Sequence, residues 1–132
     1  MASLQHTSVR QREITEVFLN ELDKNLFELI NGTTEKMVEI NEIADALHIH
    51  PRHLTNTVKL VTGKSPCDLF EGKILVAAKQ MIVDDKMNIS SIANLLTYDP
   101  SNFTKFFKRF TGKTPKQFRE ETLNQKTEHL TI

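Results

Sequence analysis

Apolar residues recur at three- and four-residue spacings along most of the chain, which is the pattern of amphipathic α-helices. The first such segment covers residues 9–30 and ends before Gly32, a typical C-terminal cap. Acidic side chains occupy the face opposite to its apolar residues, which are Ile14, Val17, Phe18, Leu22, Leu26, Phe27 and Ile30. Strand-like alternation is nearly absent, so the pattern predicts an all-α fold that begins with an amphipathic helix.

The segments INEIADAL and ISSIANLL share one apolar pattern. Each segment is followed by a short break and a proline, Pro51 or Pro100, which suits the first turn of a new helix. Gly63 and Gly112 mark the ends of these second helices. In both segments apolar residues fall at positions i, i+3, i+4 and i+7, namely Ile40, Ile43, Ala44 and Leu47, then Ile89, Ile92, Ala93 and Leu96.

The two segments belong to a longer internal repeat. A shift of 49 residues aligns 40–66 with 89–115 without a gap, and eleven of the 27 positions are identical. A self-match at a fixed period indicates that one supersecondary unit occurs twice. Each copy is a short helix, a tight turn and a second helix, which is the layout of a helix-turn-helix.

This repeat sets the predicted domain organisation. Pro66 opens a long apolar segment between the two copies, which predicts a linker helix. The predicted parts are an N-terminal helix and link over 1–37, a first helix-turn-helix over 38–66, the linker helix over 67–86, a second helix-turn-helix with a closing helix over 87–122, and a disordered polar tail over 123–132.

The stretch FTKFFKRFTGKTP interleaves four phenylalanines with basic residues. On a helix over 100–110 the four rings share one broad face, whereas the first copy carries Leu54, Val58 and Val61 at three of the four corresponding positions. A surface that stacks on nucleic-acid bases could not exchange phenylalanine for aliphatic residues, but a core can. The rings of Phe103, Phe106, Phe107 and Phe110 are therefore predicted to hold the helix to its own domain.

The charge is unevenly distributed, although the net charge is zero. A zero net charge taken alone argues against a nucleic-acid-binding protein. Residues 1–48 carry a net charge of −5, residues 49–100 carry +1, and residues 101–132 carry +4. Residues 101–119 contain six basic side chains and no acidic one, so the C-terminal part has the charge that a DNA-binding surface needs.

Polar and cationic residues lie opposite the apolar face of the helices predicted over 51–61 and 100–110. Asparagine pairs bidentately with adenine and lysine with guanine, whereas cations beside the groove position the protein on phosphates. We expect base contacts from Arg52, His53, Thr55, Asn56, Ser101, Asn102 and Lys105. We expect phosphate contacts from Lys59, Lys64, Thr104, Lys108, Arg109, Lys113 and Lys116.

The segments IADALHIHPRHLTNTVKLVTGKSP and IANLLTYDPSNFTKFFKRFTGKTPKQFRE strongly resemble the DNA-binding domain of the AraC/XylS family of bacterial transcription regulators. The resemblance covers about residues 38–120, and GKTPKQFR is its most distinctive part. It departs from the family where Thr97 and Tyr98 replace a glycine-aromatic pair.

This resemblance implies seven helices, with two helix-turn-helix units that read successive major-groove segments about one helical turn, ~34 Å, apart. It implies an activator that contacts RNA polymerase. It also implies base readers at Arg52, Thr55 and Asn56 and at Ser101, Asn102 and Lys105.

The sequence gives less support to an enzyme, a metal-binding protein or a phosphate-binding protein. His48, His50 and His53 cluster around a turn without an acidic or cysteine partner at metal spacing, and the Gly-Lys-Thr/Ser segments lack the G-x-x-x-x-G-K pattern of a phosphate loop. We therefore expect no enzyme activity, catalytic residue, metal or cofactor. The remaining alternative is an all-helical protein-protein interaction module that uses the acidic first helix as its partner surface.

The sequence also bears on the cellular location of the protein and on the size of the regulator. It has no secretory signal and no apolar run long enough for a membrane span, so we expect a cytoplasmic protein. The single cysteine, Cys67, excludes an internal disulfide. Fewer than about 40 residues precede the first helix-turn-helix, so we expect either a small stand-alone regulator or the DNA-binding domain of a longer protein with a separate sensor domain.

Overall fold

The computed structural model describes residues 7–84 and 86–130, and it describes side chains through residue 125. These residues form seven α-helices and no β-strand, so the predicted all-α fold with seven helices is confirmed for them. The helices are α1 (Val9–Ile30), α2 (Ile40–Ala46), α3 (Pro51–Thr62), α4 (Pro66–Asp84), α5 (Ile89–Leu95), α6 (Pro100–Thr111) and α7 (Pro115–Leu130).

The chain divides into two compact units within α4. The first unit extends to Lys73 and contains α1, α2, α3 and the first part of α4. The second unit begins at Ile74 and contains the rest of α4 with α5, α6 and α7. The linker helix ends at Asp84, two residues before its predicted end, and its two parts belong to different units.

Helix α1 packs against the two helices of the first helix-turn-helix, as its amphipathic pattern predicts. One apolar core joins its side chains to those of α2 and α3, and its buried members are Ile14, Phe18, Leu22, Ile43, Ala44, Leu54 and Val58. The buried side chain of Asn25 also donates a hydrogen bond to the Lys36 carbonyl and accepts one from the Val38 amide, both at 2.9 Å. These bonds fix the link between α1 and α2.

Three apolar residues of α1 that were predicted on its buried face are exposed, namely Val17, Phe27 and Ile30. Each residue advances a helix by about 100°, so these three lie about a quarter turn or more from the centre of the stripe that reaches the core. The other predicted positions of the stripe are buried.

The two helix-turn-helix turns have the same backbone conformation. In the first, the amides of His48 and Ile49 donate to carbonyls of α2, and in the second, those of Thr97 and Tyr98 donate to carbonyls of α5. This bond pattern is a Schellman motif, which needs one residue in the left-handed region. That residue is His48, with φ of 59°, or Thr97, with φ of 69°.

Replacing Thr97 with glycine is expected to stabilise the second unit by about 0.5–1 kcal/mol. A left-handed conformation is unfavourable for a residue with a Cβ by roughly 1–2 kcal/mol, and the greater freedom of unfolded glycine offsets part of that gain. Urea unfolding of the variant measures the difference. Thr97→Ala is the control, because it removes the β-branch and keeps the Cβ; an equal gain in both variants would contradict the backbone explanation.

The tail over 123–132, which was predicted to be disordered, includes the last described part of α7. Helix α7 continues to Leu130, and the last two residues lie outside the described residues. The segment lacks an apolar stripe, which is why the sequence suggested disorder. Its Glu, Gln, Lys and Leu residues favour helix, and an existing helix extends more readily than a new one forms.

Candidate nucleic-acid interface

Helices α3 and α6 present the same polarity in the two units. Each buries three side chains on one face, Leu54, Thr57 and Val58 in α3 and Phe103, Phe106 and Phe107 in α6. The opposite face of each helix is exposed and carries Arg52, His53, Asn56 and Lys59 in α3 and Ser101, Asn102, Lys105, Lys108 and Arg109 in α6. Both helices can therefore present polar and cationic groups to a ligand while they remain anchored.

Thr55 and Thr104 occupy equivalent positions, and neither points fully outward. Both are half-buried, whereas Thr55 was predicted to project outward with its exposed neighbours. The Thr104 hydroxyl donates to the Pro100 carbonyl at 3.1 Å. Thr55 lines an apolar cavity. The positions lie about 100° from the centre of the buried face, which places them at the border between the two faces.

Phe110 was predicted to lie in the core, but half of its surface is exposed. It follows Phe103, Phe106 and Phe107 on the same side of α6, but it lies in the last turn. Its ring contacts Phe106 edge-on at 5.2 Å between centroids, and the Arg109 guanidinium lies 4.7 Å from its centroid. The other three rings are buried as predicted.

Tyr98 holds the turn of the second unit against α6. Its ring stacks on that of Phe106 at 5.1 Å and is tilted against that of Phe103 at 6.0 Å. The ring of Phe107 meets Phe118 of α7 edge-on at 5.4 Å. Aromatic packing therefore fixes α6 to both of its neighbours along the chain.

Different side chains cap the N-termini of α3 and α6. His50 Nδ1 accepts a hydrogen bond from the Arg52 amide at 3.0 Å. The Asp99 carboxylate accepts from the amides of Ser101 and Asn102, at 3.1 and 3.3 Å. Hydrogen bonds from the Ser101 side chain and the Asn102 amide lower the pKa of Asp99, and the charge of Lys105 lowers it further. The stabilisation by this cap is therefore present at neutral pH and is lost as the pH falls through the folded-state pKa.

The repeated Thr-Gly-Lys segments form identical C-terminal caps. Gly63 and Gly112 have φ of 77° and 78°, and their amides donate to the Lys59 and Lys108 carbonyls at 2.8 Å. In both copies the hydroxyl of the preceding threonine lies within hydrogen-bonding distance of a carbonyl in its own helix and of the carbonyl of the following lysine. These segments determine where α3 and α6 end, and they leave the lysines exposed.

The residue after each lysine caps the N-terminus of the next helix. Ser65 Oγ accepts from the Asp68 amide, and Thr114 Oγ1 accepts from the Gln117 amide, both at 3.1 Å. The Thr114 amide donates in return to Gln117 Oε1 at 2.9 Å, which completes a capping box. Most of the interactions described for the distinctive GKTPKQFR segment therefore cap the ends of α6 and α7.

The basic residues of 101–119 have different environments. Lys105, Lys108, Arg109 and Lys116 are exposed, and Lys113 forms an ion pair with Glu121 of α7. The Arg119 guanidinium donates to the carbonyl of Ile82 at 2.9 Å and to that of Met87 at 2.7 Å. Sequence reasoning gave Arg119 no role, and its structural role depends on carbonyls more than 30 residues away.

Comparison with known proteins identifies the family that has this arrangement. A sequence model of the family described as "Helix-turn-helix domain", which is of the AraC type, matches residues 43–121, more than half of the chain. The chain belongs to this AraC-type helix-turn-helix family. The resemblance drawn from the sequence is therefore confirmed, and membership places the chain among DNA-binding transcription regulators.

Solved structures show the same fold. A DNA-binding transcriptional dual regulator from Escherichia coli K-12 has a TM-score of 0.69 at 20% identity, over 84% of this chain and 93% of that one. The C-terminal domain of AraT, a response regulator from Geobacillus stearothermophilus, has a TM-score of 0.65 at 20% identity, over 88% of each chain. The DNA-binding domain of AdpA, solved with a target DNA, has a TM-score of 0.64 at 14% identity, over 76% of this chain and 95% of that one.

A search of curated proteins found no match to this AraC-type chain. In the part of the chain that the structure describes, no helix is both long enough and apolar enough to cross a membrane. Within the same residues, no three His, Cys, Asp or Glu side chains come together as a metal site.

Proposed function

We propose that the chain is a sequence-specific regulator that inserts α3 and α6 into separate major-groove segments of double-stranded DNA. The observation that carries the proposal is the repeated polarity of these helices, with apolar side chains inward and polar or cationic ones outward. A helix fits the major groove, where each base pair presents a distinct pattern of donors and acceptors. Two such helices double the length of sequence that can be read.

The proposal divides the exposed residues by role. Short polar side chains and Lys105 lie in the N-terminal halves of the two helices, where a recognition helix approaches base edges. Base contacts are proposed for Arg52, His53, Thr55, Asn56, Ser101, Asn102 and Lys105. Phosphate contacts are proposed for the flanking residues Lys59, Lys64, Thr104, Lys108, Arg109, Lys113 and Lys116, and these supply most of the salt-dependent affinity.

Lys105→Ala and Lys113→Ala are expected to affect DNA binding differently. Loss of a base contact relaxes specificity at one base pair by about 1–3 kcal/mol, whereas loss of a phosphate contact weakens all sequences alike and lowers the salt slope by about 1. The site is first selected from random double-stranded DNA with the unmodified protein. Affinities for that site and its single-base variants are then measured at several salt concentrations.

These two lysines test the division of roles because both lie in the second unit. A uniform, non-selective loss in both variants would contradict it. The absence of DNA binding by the unmodified chain even at low salt, where the phosphate contribution is largest, would overturn the proposed function itself.

Glu121→Gln is expected to strengthen DNA binding. The Glu121 carboxylate pairs with Lys113 and would compete with a DNA phosphate for it. Both side chains are about half exposed, so we expect a gain of about two- to fivefold at low salt that decreases as salt is added. Fluorescence anisotropy with labelled DNA measures it. Glu120→Gln is the matched control, since Glu120 forms no ion pair with another described residue; an equal gain there would indicate a general charge effect.

We further propose that the protein acts in the bacterial cytoplasm as an activator that contacts RNA polymerase. In vitro transcription from a promoter that carries the selected site tests this part. The alternative is a helical protein-protein interaction module without DNA binding. The exposed Phe27 on α1 favours a protein contact there, but such a contact is compatible with DNA binding by α3 and α6.

A further inference from the structure

The first unit contains an apolar cavity of about 440 Å³ beside its recognition helix α3. Phe18 and Leu22 of α1 form one wall, and Phe70 of α4 contributes to another. Thr55, Ser65 and Cys67 also line it. A volume of this size lies within the range of about 300–1,000 Å³ that is typical of small-molecule sites.

The lining defines the chemistry of an occupant. It contains no carboxylate, ammonium, guanidinium or imidazole group, and the Cys67 thiol is its single ionisable group. A charged ligand would lose its hydration here without gaining an opposite charge, which is unfavourable by several kcal/mol or more. The lining therefore suits a neutral and largely apolar occupant.

Two hydroxyl groups can orient such an occupant. Ser65 Oγ accepts a hydrogen bond from the Asp68 amide and keeps its own hydrogen to donate. The Thr104 hydroxyl donates to the Pro100 carbonyl, but its counterpart Thr55 forms no such bond with any described residue. Thr55 lies at the border between the cavity and the outward face of α3, so its hydroxyl can bond a ligand in the cavity or a DNA base, but not both at once.

We propose that this cavity binds a neutral, largely apolar small molecule with one hydrogen-bonding group, and that its occupant changes DNA binding by α3. The second part rests on the proposed function. The coupling follows from position, because Thr55 adjoins Asn56 on α3 and the side chains of Phe18 and Leu22 belong to the core that holds α3. A ligand that contacts these groups gains or loses contacts when α3 shifts, so its affinity depends on where α3 lies. By linkage, DNA then changes the affinity for the ligand by the same factor.

The single cysteine makes the cavity directly testable, since Cys67 is exposed and lies at its edge. The probe is N-phenyl-1-naphthylamine, a neutral apolar fluorophore. It is expected to bind saturably with one site per chain. After Cys67 reacts with N-benzylmaleimide, probe affinity is expected to fall by about tenfold or more, which corresponds to about 1.4 kcal/mol.

The control is the double variant Cys67→Ser/Asp68→Cys, labelled with the same reagent. Position 68 is exposed on the same helix and does not line the cavity, so its label is expected to leave probe affinity unchanged. Circular dichroism of both labelled proteins reports whether the helices remain folded. The absence of saturable probe binding, or equal effects of the two labels, would overturn the site.

DNA affinity is then measured with and without saturating probe. A change of about fivefold or more in the unlabelled protein, absent after Cys67 is labelled, supports the coupling. Probe binding that Cys67 labelling blocks, together with unchanged DNA affinity, would overturn the regulatory part. If the chain binds no DNA, the proposed function fails, and the fluorescence titration still decides whether the cavity binds the probe.

Discussion

Replacing Phe107 with alanine is expected to lower the free energy of unfolding of the second unit by about 3–5 kcal/mol. The ring is fully buried, and it contacts Phe103 of its own helix and Phe118 of α7, at 6.1 and 5.4 Å between centroids. Its removal leaves a cavity between α6 and α7, and α6 loses a contact that holds it to the second unit. Urea unfolding followed by circular dichroism measures the loss.

The matched control is Phe110→Ala, because it makes the same chemical change three residues later on the same helix. Half of the Phe110 surface is exposed, so its removal creates no closed cavity, and we expect a loss of about 1 kcal/mol or less. The chain contains two compact units, so the unfolding curves are tested for two transitions and each transition is fitted by itself. Equal losses in the two variants would contradict the assignment of Phe107 to the core and Phe110 to its border.

This pair of variants also decides what the interleaved aromatic and basic residues do. If the phenylalanines stacked on bases, Phe110→Ala would weaken DNA binding most, since its ring is the most accessible of those on α6. If they form the core, Phe110→Ala binds DNA almost normally. Phe107→Ala then loses binding in proportion to the fraction of the second unit that is unfolded.

Local chemistry explains why the sequence predicted most helix boundaries. Pro51 and Pro100 each occupy the first turn of a helix, and Gly63 and Gly112 each adopt the left-handed conformation after one. These preferences depend on the residue itself, and the 49-residue repeat shows them twice. Helices α3 and α6 accordingly end within one residue of the predicted 61 and 110.

The sequence was least informative where distant parts of the chain decide the outcome. The membership of α1 in the first unit depends on contacts with α2 and α3, and its periodicity alone shows that it packs but not against what. Phe110 has the spacing of a core residue, yet its position in the last turn of α6 leaves it exposed. Periodicity identifies a face of a helix, whereas tertiary packing determines how much of that face is covered.

The same distinction applies to the candidate interface. The sequence could identify the outward residues, because polar positions opposite an apolar face can be counted along one helix. It could not show that Lys113 pairs with Glu121 or that Ser101 is bonded to Asp99. A base or phosphate must compete with those partners for Ser101 and Lys113. Binding measurements with DNA show which interaction is the stronger.

Replacing Phe18 with alanine is expected to lower the free energy of unfolding of the first unit by about 3–5 kcal/mol. Phe18 lies on α1, is 2% exposed and belongs to the core that also contains Leu54 and Val58 of α3. Because α1 shares its core with α3, this change removes contacts that support α3. A typical domain has about 5–15 kcal/mol of stability, so the expected loss is a large fraction of the total.

Phe27→Ala is the matched control on the same helix, because the Phe27 side chain is 68% exposed. We expect it to change the stability by about 0.5 kcal/mol or less, since surface substitutions remove few contacts. Native-state hydrogen exchange of the α3 amides provides a second readout, because Phe18→Ala should lower their protection and Phe27→Ala should not. If α1 were an appendage that only covers the domain, Phe18→Ala would leave the protection of α3 unchanged. The contrast between two phenylalanines of one helix therefore separates a supporting role of α1 from a peripheral one.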